Sequence, residues 1–194
     1  MIERWPELIN EVDDDGKAPL ERASEVGRTA LVELILERDP SSIIEAPLAW
    51  VEACKNRHLS TVLAFAEKST FFKRLCRLHY DTPLHHLGDL TYKECQLFLE
   101  HPVIKQLRND QNIDDETPLH TAIRNNNKNM VEMLLRMSDV DTTIKDADNK
   151  TALDLLSEVC SRDMDWVCLL RQSIIYSGTT NPALKITNSE WTCN

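Results

Sequence analysis

The side chains best suited to chemistry in this 194-residue sequence crowd into one stretch: Cys76, His79, His85, His86 and Cys95, with Tyr80, Asp81 and Asp89 between them. Thiolate and imidazole are the ligands zinc takes, and a thiol beside an imidazole is a nucleophile beside its base. The spacing supports neither. There is no C-x-x-C, and the separations of these cysteines and histidines match none of the common zinc patterns. No G-x-S-x-G, P-loop, G-x-G-x-x-G or H-E-x-x-H run is present to orient a nucleophile, cradle a phosphate or seat a catalytic metal. The expectation is a non-catalytic protein with no metal and no cofactor. The alternative keeps His79, Tyr80, Asp81, His86 and Asp89 as an acid–base or ligand-binding groove, in an atypical enzyme or small-molecule binder.

Any groove needs elements to hold it, and the clearest of these lies downstream. Residues 114–135 read DDETPLHTAIRNNNKNMVEMLL. Thr117 suits an N-cap and Pro118 the first helical position, where a missing N–H costs nothing. Leu119, Ala122 and Ile123 then share one helical face, which the polar run from Arg124 ends. Met130, Val131, Leu134 and Leu135 repeat the spacing, so the stretch predicts two short antiparallel helices. Helices of about ten residues are marginal alone in water, because nucleation is costly and few bonds repay it. The unit requires neighbours.

They are present. TPLH recurs at residues 82–85, with APLE at 18–21 and TALD at 151–154. The apolar residues after these turns, Leu20, Trp50, Leu84, Leu119 and Leu153, are spaced by 30, 34, 35 and 34 residues, a period that marks a repeat array. Second-helix positions agree: Val32 with Ile35 and Leu36, Val62 with Phe65, Cys95 with Leu99, and Val131 with Leu134 and Leu135.

On these residues the sequence resembles the ankyrin-repeat family. DETPLHTAIRNNNKNMVEMLL followed by SDVDTTIKDADNKTALDLL has the family's turn, inner helix, outer helix and Asp-rich hairpin. DGKAPLERASEVGRTALVELIL matches as well, with Gly16 in its turn and Gly27 between its helices. APLAWVEACKNRHLSTVLAFA departs, with Trp50 in place of Leu, and the third repeat has His86, Leu87 and Gly88 where the family has small residues. Within the family, the DNKTALD hairpin and the ERDPSS and EHPVI stretches are similar to plant ankyrin-repeat proteins of the accelerated-cell-death type, without their membrane module.

The resemblance implies an all-α ankyrin-repeat solenoid of about five helix-turn-helix repeats with short hairpin turns, near 13–42, 43–75, 77–111, 112–145 and 146–176. These form a single domain over 1–176 with a partial N-terminal repeat at 1–12, followed by a flexible tail at 177–194. By the same resemblance His85 and His120 bond turn backbone, and the function is protein–protein interaction through the concave groove and turn tips. The family's variable positions map onto Lys17, Glu25, Lys55, Asn56, His79, Tyr80, Asp81, Asp89, Ile113, Asp114, Glu116, Arg124, Asn125, Asp148 and Lys150 as partner contacts. Leu90 stays open between an exposed tip and the core. Trp50 or Phe65 would open a small-molecule pocket between the second and third repeats if loosely packed, and would leave the groove alone if dense.

Composition narrows the partner. Net charge is −10 and the basic residues are scattered, so the footprint of a nucleic-acid binder is missing. Asp81, Asp89, Asp114, Asp115, Glu116, Asp146 and Asp148 make the expected groove acidic, which suits a partner protein with a basic surface. No run of 18 apolar residues and no apolar N-terminal segment occurs, so the reading is a cytoplasmic monomer with no membrane span. The six cysteines are then expected to be reduced, with Cys54, Cys95 and Cys168 in the core.

Overall fold

The computed structural model describes residues 9–68, 72–78, 81–86, 88, 90–160 and 166. Among them the structure is helical, and the single strand-like pairing is an antiparallel bridge between Lys145 and Thr151. In chain order the helices are α1 (Pro19–Glu25), α2 (Thr29–Arg38), α3 (Ser42–Glu45), α4 (Ala49–Lys55), α5 (Leu59–Lys68), α6 (Phe72–Leu78), α7 (Pro83–His86), α8 (Tyr92–Glu100), α9 (Pro102–Lys105), α10 (Pro118–Arg124), α11 (Lys128–Leu135) and α12 (Ala152–Cys160). The chain divides into two compact units, one from Met1–Leu87 with Phe98–Leu107, the other from Gly88–Leu97 with Arg108–Asn194. The division falls within the third repeat.

In the first unit, inner helices pack on inner helices and outer on outer: α1 on α4, α4 on α7, and α2 on α5. In the second, α10 pairs with its own outer helix α11 and with α12 of the next repeat. The sequence register holds. Helices α1, α4 and α10 each run seven residues and begin one residue before Leu20, Trp50 and Leu119. Those three residues and Leu84 are buried, while the fifth anchor, Leu153, is half-buried. Val32, Val62, Cys95 and Val131, at the equivalent outer-helix position, are all buried. Within each unit, neighbouring repeats therefore share a core, which is how short helices escape the cost of standing alone.

The third repeat is the irregular one. Its inner helix α7 stops after four residues at His86, two positions before Gly88, whose backbone freedom disfavours a helix. Beside it, Trp50 and Phe65 are fully buried. Phe72 meets Trp50 edge-on at 5.9 Å and stacks with Phe65 at 6.4 Å, and His86 meets Trp50 edge-on at 5.6 Å. Packing at this point is dense, so the conditional small-molecule opening beside Trp50 is filled by aromatic rings. Leu90 belongs to the core, being about as buried as Leu119.

The link between inner and outer helix has one recurring geometry. Gly27, Arg57 and Asn126 all take the left-handed conformation, at φ 72°, 59° and 56°. That turn lets α2, α5 and α11 fold back on α1, α4 and α10, and it explains why the loops can be so short. Of the expected partial repeat at 1–12 only residues 9–12 are described, with Ile9 buried and Asn10, Glu11 and Val12 exposed; the tail at 177–194 lies outside the described residues.

Candidate protein-interaction surface

Three turns present the surface, and each is built the same way from a single Asp or Asn. Oδ1 of Asp13 accepts the N–H groups of Asp15 and Lys17, both at 3.0 Å. Asn112 does the same for Asp114 and Glu116, and Asp146 for Asp148 and Lys150, at 2.9–3.1 Å. The backbone closes each loop, with N–H of residues 13, 112 and 146 donating to the carbonyls of residues 17, 116 and 150. Gly16, Asp115 and Asn149 supply the left-handed residue. These are Asx turns, in which a short polar side chain replaces a missing backbone bond. Asp146, counted above among the charges of the groove, is consequently buried within its turn. Burial pushes its carboxyl up, but the Lys150 N–H and the Arg124 guanidinium together hold it below the usual carboxylate range.

Behind each turn a side chain three residues into the helix closes the N-terminus. In the fourth repeat Nδ1 of His120 accepts from the Thr117 N–H at 3.2 Å and lies 2.8 Å from the Thr117 hydroxyl, so Nδ1 carries no proton. Its Nε2–H then donates to the Lys150 carbonyl of the next repeat at 3.2 Å. The hydroxyl of Thr117 faces the imidazole and completes a capping box with the His120 backbone N–H. Thr82 and His85 form the same pair, while Glu21 and Asp154 serve Ala18 and Thr151. The role that the resemblance implied for His120 is seen directly.

Burial holds the imidazole of His120 below its ordinary 6.5, although its bond to the Lys150 carbonyl and the nearby Asp146 and Glu116 pull the other way. The unfolded chain therefore takes up this proton first. The stability contributed is fully present above pH 6.5 and is lost as pH falls below it towards the folded value. Urea midpoints measured from about pH 7.5 to about pH 5 should fall in the wild type, and should fall less in His120→Gln. Equal slopes in the two proteins would remove His120 from the account.

The charged positions selected from sequence are largely engaged with one another. Lys17 Nζ pairs with Glu25 at 2.9 Å, and Lys150 Nζ with Glu158 at 2.7 Å. Glu116 and Arg124 make the equivalent pair with the signs exchanged, and Arg124 also reaches Asp146 at 2.7 Å and Asp148 at 3.8 Å. In the first repeat Arg22 joins Asp13, Asp15 and Glu25, and its hydrogen bond lowers the Asp13 carboxyl. Lys17 does likewise for Glu25. Sequence reasoning missed Arg22 and these pairings; the available signal was opposite charge eight residues apart, from turn foot to helix end.

The remaining selected residues divide by exposure. Ile113, Asp114, Asn125 and Asp148 are exposed in the second unit, as are Lys55 and Asn56 in the first, where Lys55 pairs with Glu52 at 3.1 Å. Asp81 is half-buried, its carboxylate 2.6 Å from His86 Nε2 and 3.3 Å from His85 Nδ1. His79, Tyr80 and Asp89 lie outside the described residues, as does Cys168. Cys54, Cys76, Cys95 and Cys160 are buried. Burial pushes Cys54 well up and Cys95 up to about 11, so neither is a thiolate at neutral pH. Among the described residues no three His, Cys, Asp or Glu side chains are grouped to hold a metal, and no helix is long and apolar enough to cross a membrane.

The same turn, capping pair and reversing link recur across repeats, and comparison with known proteins agrees with that geometry. A family model described as "Ankyrin repeats (many copies)" matches residues 106–156. Alpha-latrotoxin-Lh1a of Latrodectus hasselti is 41% identical over 51 residues, which is 26% of this chain and 4% of the toxin. The chain thus corresponds to a small fraction of that relative. Ankyrin repeats are generally protein-interaction modules and typically not enzymes. The match spans the fourth turn and its helices, so residues 106–156 are ankyrin repeats, set among helices whose packing follows the same period.

Proposed function

We propose that the chain is a non-catalytic module, monomeric and cytoplasmic, that binds a partner protein along the turn tips and the concave side of its inner helices. One observation carries the reading. In the turns at Asp13, Asn112 and Asp146, backbone and Asx hydrogen bonds fix the shape, while the neighbouring side chains point to solvent and differ from repeat to repeat. Cohesion is handled inside, so the tips are free to carry recognition.

The charge left after internal pairing sets the sign of the partner. Arg124 and Lys150 are already paired, whereas Asp114 and Asp115 are exposed and form no ion pair among the described residues. With a net charge of −10, this surface favours a basic partner. A partner recovered by affinity purification should associate about tenfold more slowly at high salt than at low salt, and more slowly still with Asp114→Lys combined with Asp148→Lys. Stopped-flow or interferometry gives the rates. An on-rate indifferent to both salt and charge reversal would remove the basic partner from the reading.

A further inference from the structure

The turn at residues 112–115 displays one side chain that its own geometry does not call for. In the equivalent turns the second position is Asp14 or Ala147; here it is Ile113, which is 76% exposed and the most exposed large apolar side chain among the described residues. Asn112 anchors the turn, and Asp115 supplies the left-handed residue. A β-branched apolar residue adds nothing to such a turn, where short polar side chains are preferred. A residue that breaks a local rule with no structural return points to recognition.

The turn is also held stiffly. The Asp114 carbonyl accepts the N–H of Ala147 at 3.1 Å, which ties this tip to the next one. Gln111 Nε2 donates to the carbonyls of both Asp115 and Lys145. Ile113 therefore stands on a preorganised loop, and little ordering cost remains to be met when it is covered. Asp114 and Asp115 flank it. Anionic lipid would be repelled by these carboxylates, and a nucleic acid likewise, so a protein with cations is the occupant that fits.

We infer that Ile113 is the apolar anchor of the second unit's tip, received by a protein segment in which an apolar residue is bordered by Lys or Arg. This rests on the interaction-module reading and specifies its partner. The charged rows beside the tip take a lesser part, because Glu116, Arg124, Lys150 and Glu158 already satisfy one another. A stable interface is wider than one tip, so Ile113 acts within a larger contact as its centre.

The test is selection of a random peptide display library on the full chain, followed by affinity measurement with the synthetic winners. Enriched peptides should combine an apolar residue with adjacent Lys or Arg, and should lose about tenfold or more in affinity for Ile113→Asp while binding Asp14→Ala as they bind the wild type. Both variants alter exposed turn positions and should melt as the wild type does by circular dichroism; Ile113→Ser replaces Ile113→Asp if that one does not. Winners that bind Ile113→Asp unchanged overturn the anchor and leave the module reading standing. Winners that need Ile113 but carry no cation overturn the partner's charge. A library yielding no binder to any surface counts against both readings.

Discussion

Replacing Trp50 with alanine should lower the unfolding free energy by about 3–5 kcal/mol, the largest single effect expected among the described residues. Trp50 occupies the place that Leu20, Leu84 and Leu119 hold in other repeats, and it is completely buried against Phe72 and His86. Truncation removes the whole indole from a wall made of α4 and α7, which pack together in the first unit. Rings on either side cannot collapse far, so a cavity remains and adds to the lost transfer energy. Trp50→Leu is the informative companion. The indole Nε1 is buried and has no hydrogen-bond partner among the described residues, and an unmet buried donor costs about 1–3 kcal/mol. Leucine abolishes that penalty while keeping much of the apolar contact, so its cost should stay below about 2 kcal/mol. Guanidinium melts followed by circular dichroism give both values. A loss under about 1 kcal/mol for the alanine variant would mean that Trp50 is not packed as described.

Gly27→Ala is the second large expectation, at about 2–3 kcal/mol. Gly27 holds φ at +72°, which costs an L-residue about 1–2 kcal/mol. In addition, a Cβ there would lie 2.5 Å from Nδ1 and 2.6 Å from Cγ of His58, which must swing away. The movement breaks the bond between His58 Nε2 and the Glu25 carbonyl, 3.1 Å long, which ties the first repeat to the second. A net hydrogen bond of this kind is worth about 1 kcal/mol. Gly16 makes the contrast, since its φ is +75° but nothing lies within 4 Å of its missing Cβ. Gly16→Ala should therefore cost only the conformational part. Because the Gly27 effect runs through His58, the double variant Gly27→Ala with His58→Ala should cost less than the sum of the singles. Strict additivity would show that the two residues do not meet.

Much of the fold was legible because its determinants are local and periodic. Leu20, Trp50, Leu84 and Leu119 were recognisable as anchors from their place after a turn, and the valines of the outer helices from their helical spacing. Even the departure at Trp50 kept its register, since a repeat core asks for an apolar side chain at a given step more strictly than for a given shape. The tip residues were found by position, but what they do there was not readable. Asp146 looked like a free groove carboxylate, whereas its turn consumes both its hydrogen-bonding capacity and its exposure. Leu90 could have been tip or core, because one residue beside an irregular helix carries no period.

By itself the sequence determined the repeat, its register, the inner and outer apolar faces and the turn chemistry, each being set within a few neighbouring residues by helical spacing and by the conformational limits of Pro, Gly, Asp and Asn. Tertiary structure alone decided which charges remain for a partner. Arg124 meets Asp146 across 22 residues of sequence, and His120 reaches Lys150 across 30. Such partners are chosen by the distance between side chains on adjacent repeats, a quantity that exists only once the helices have packed.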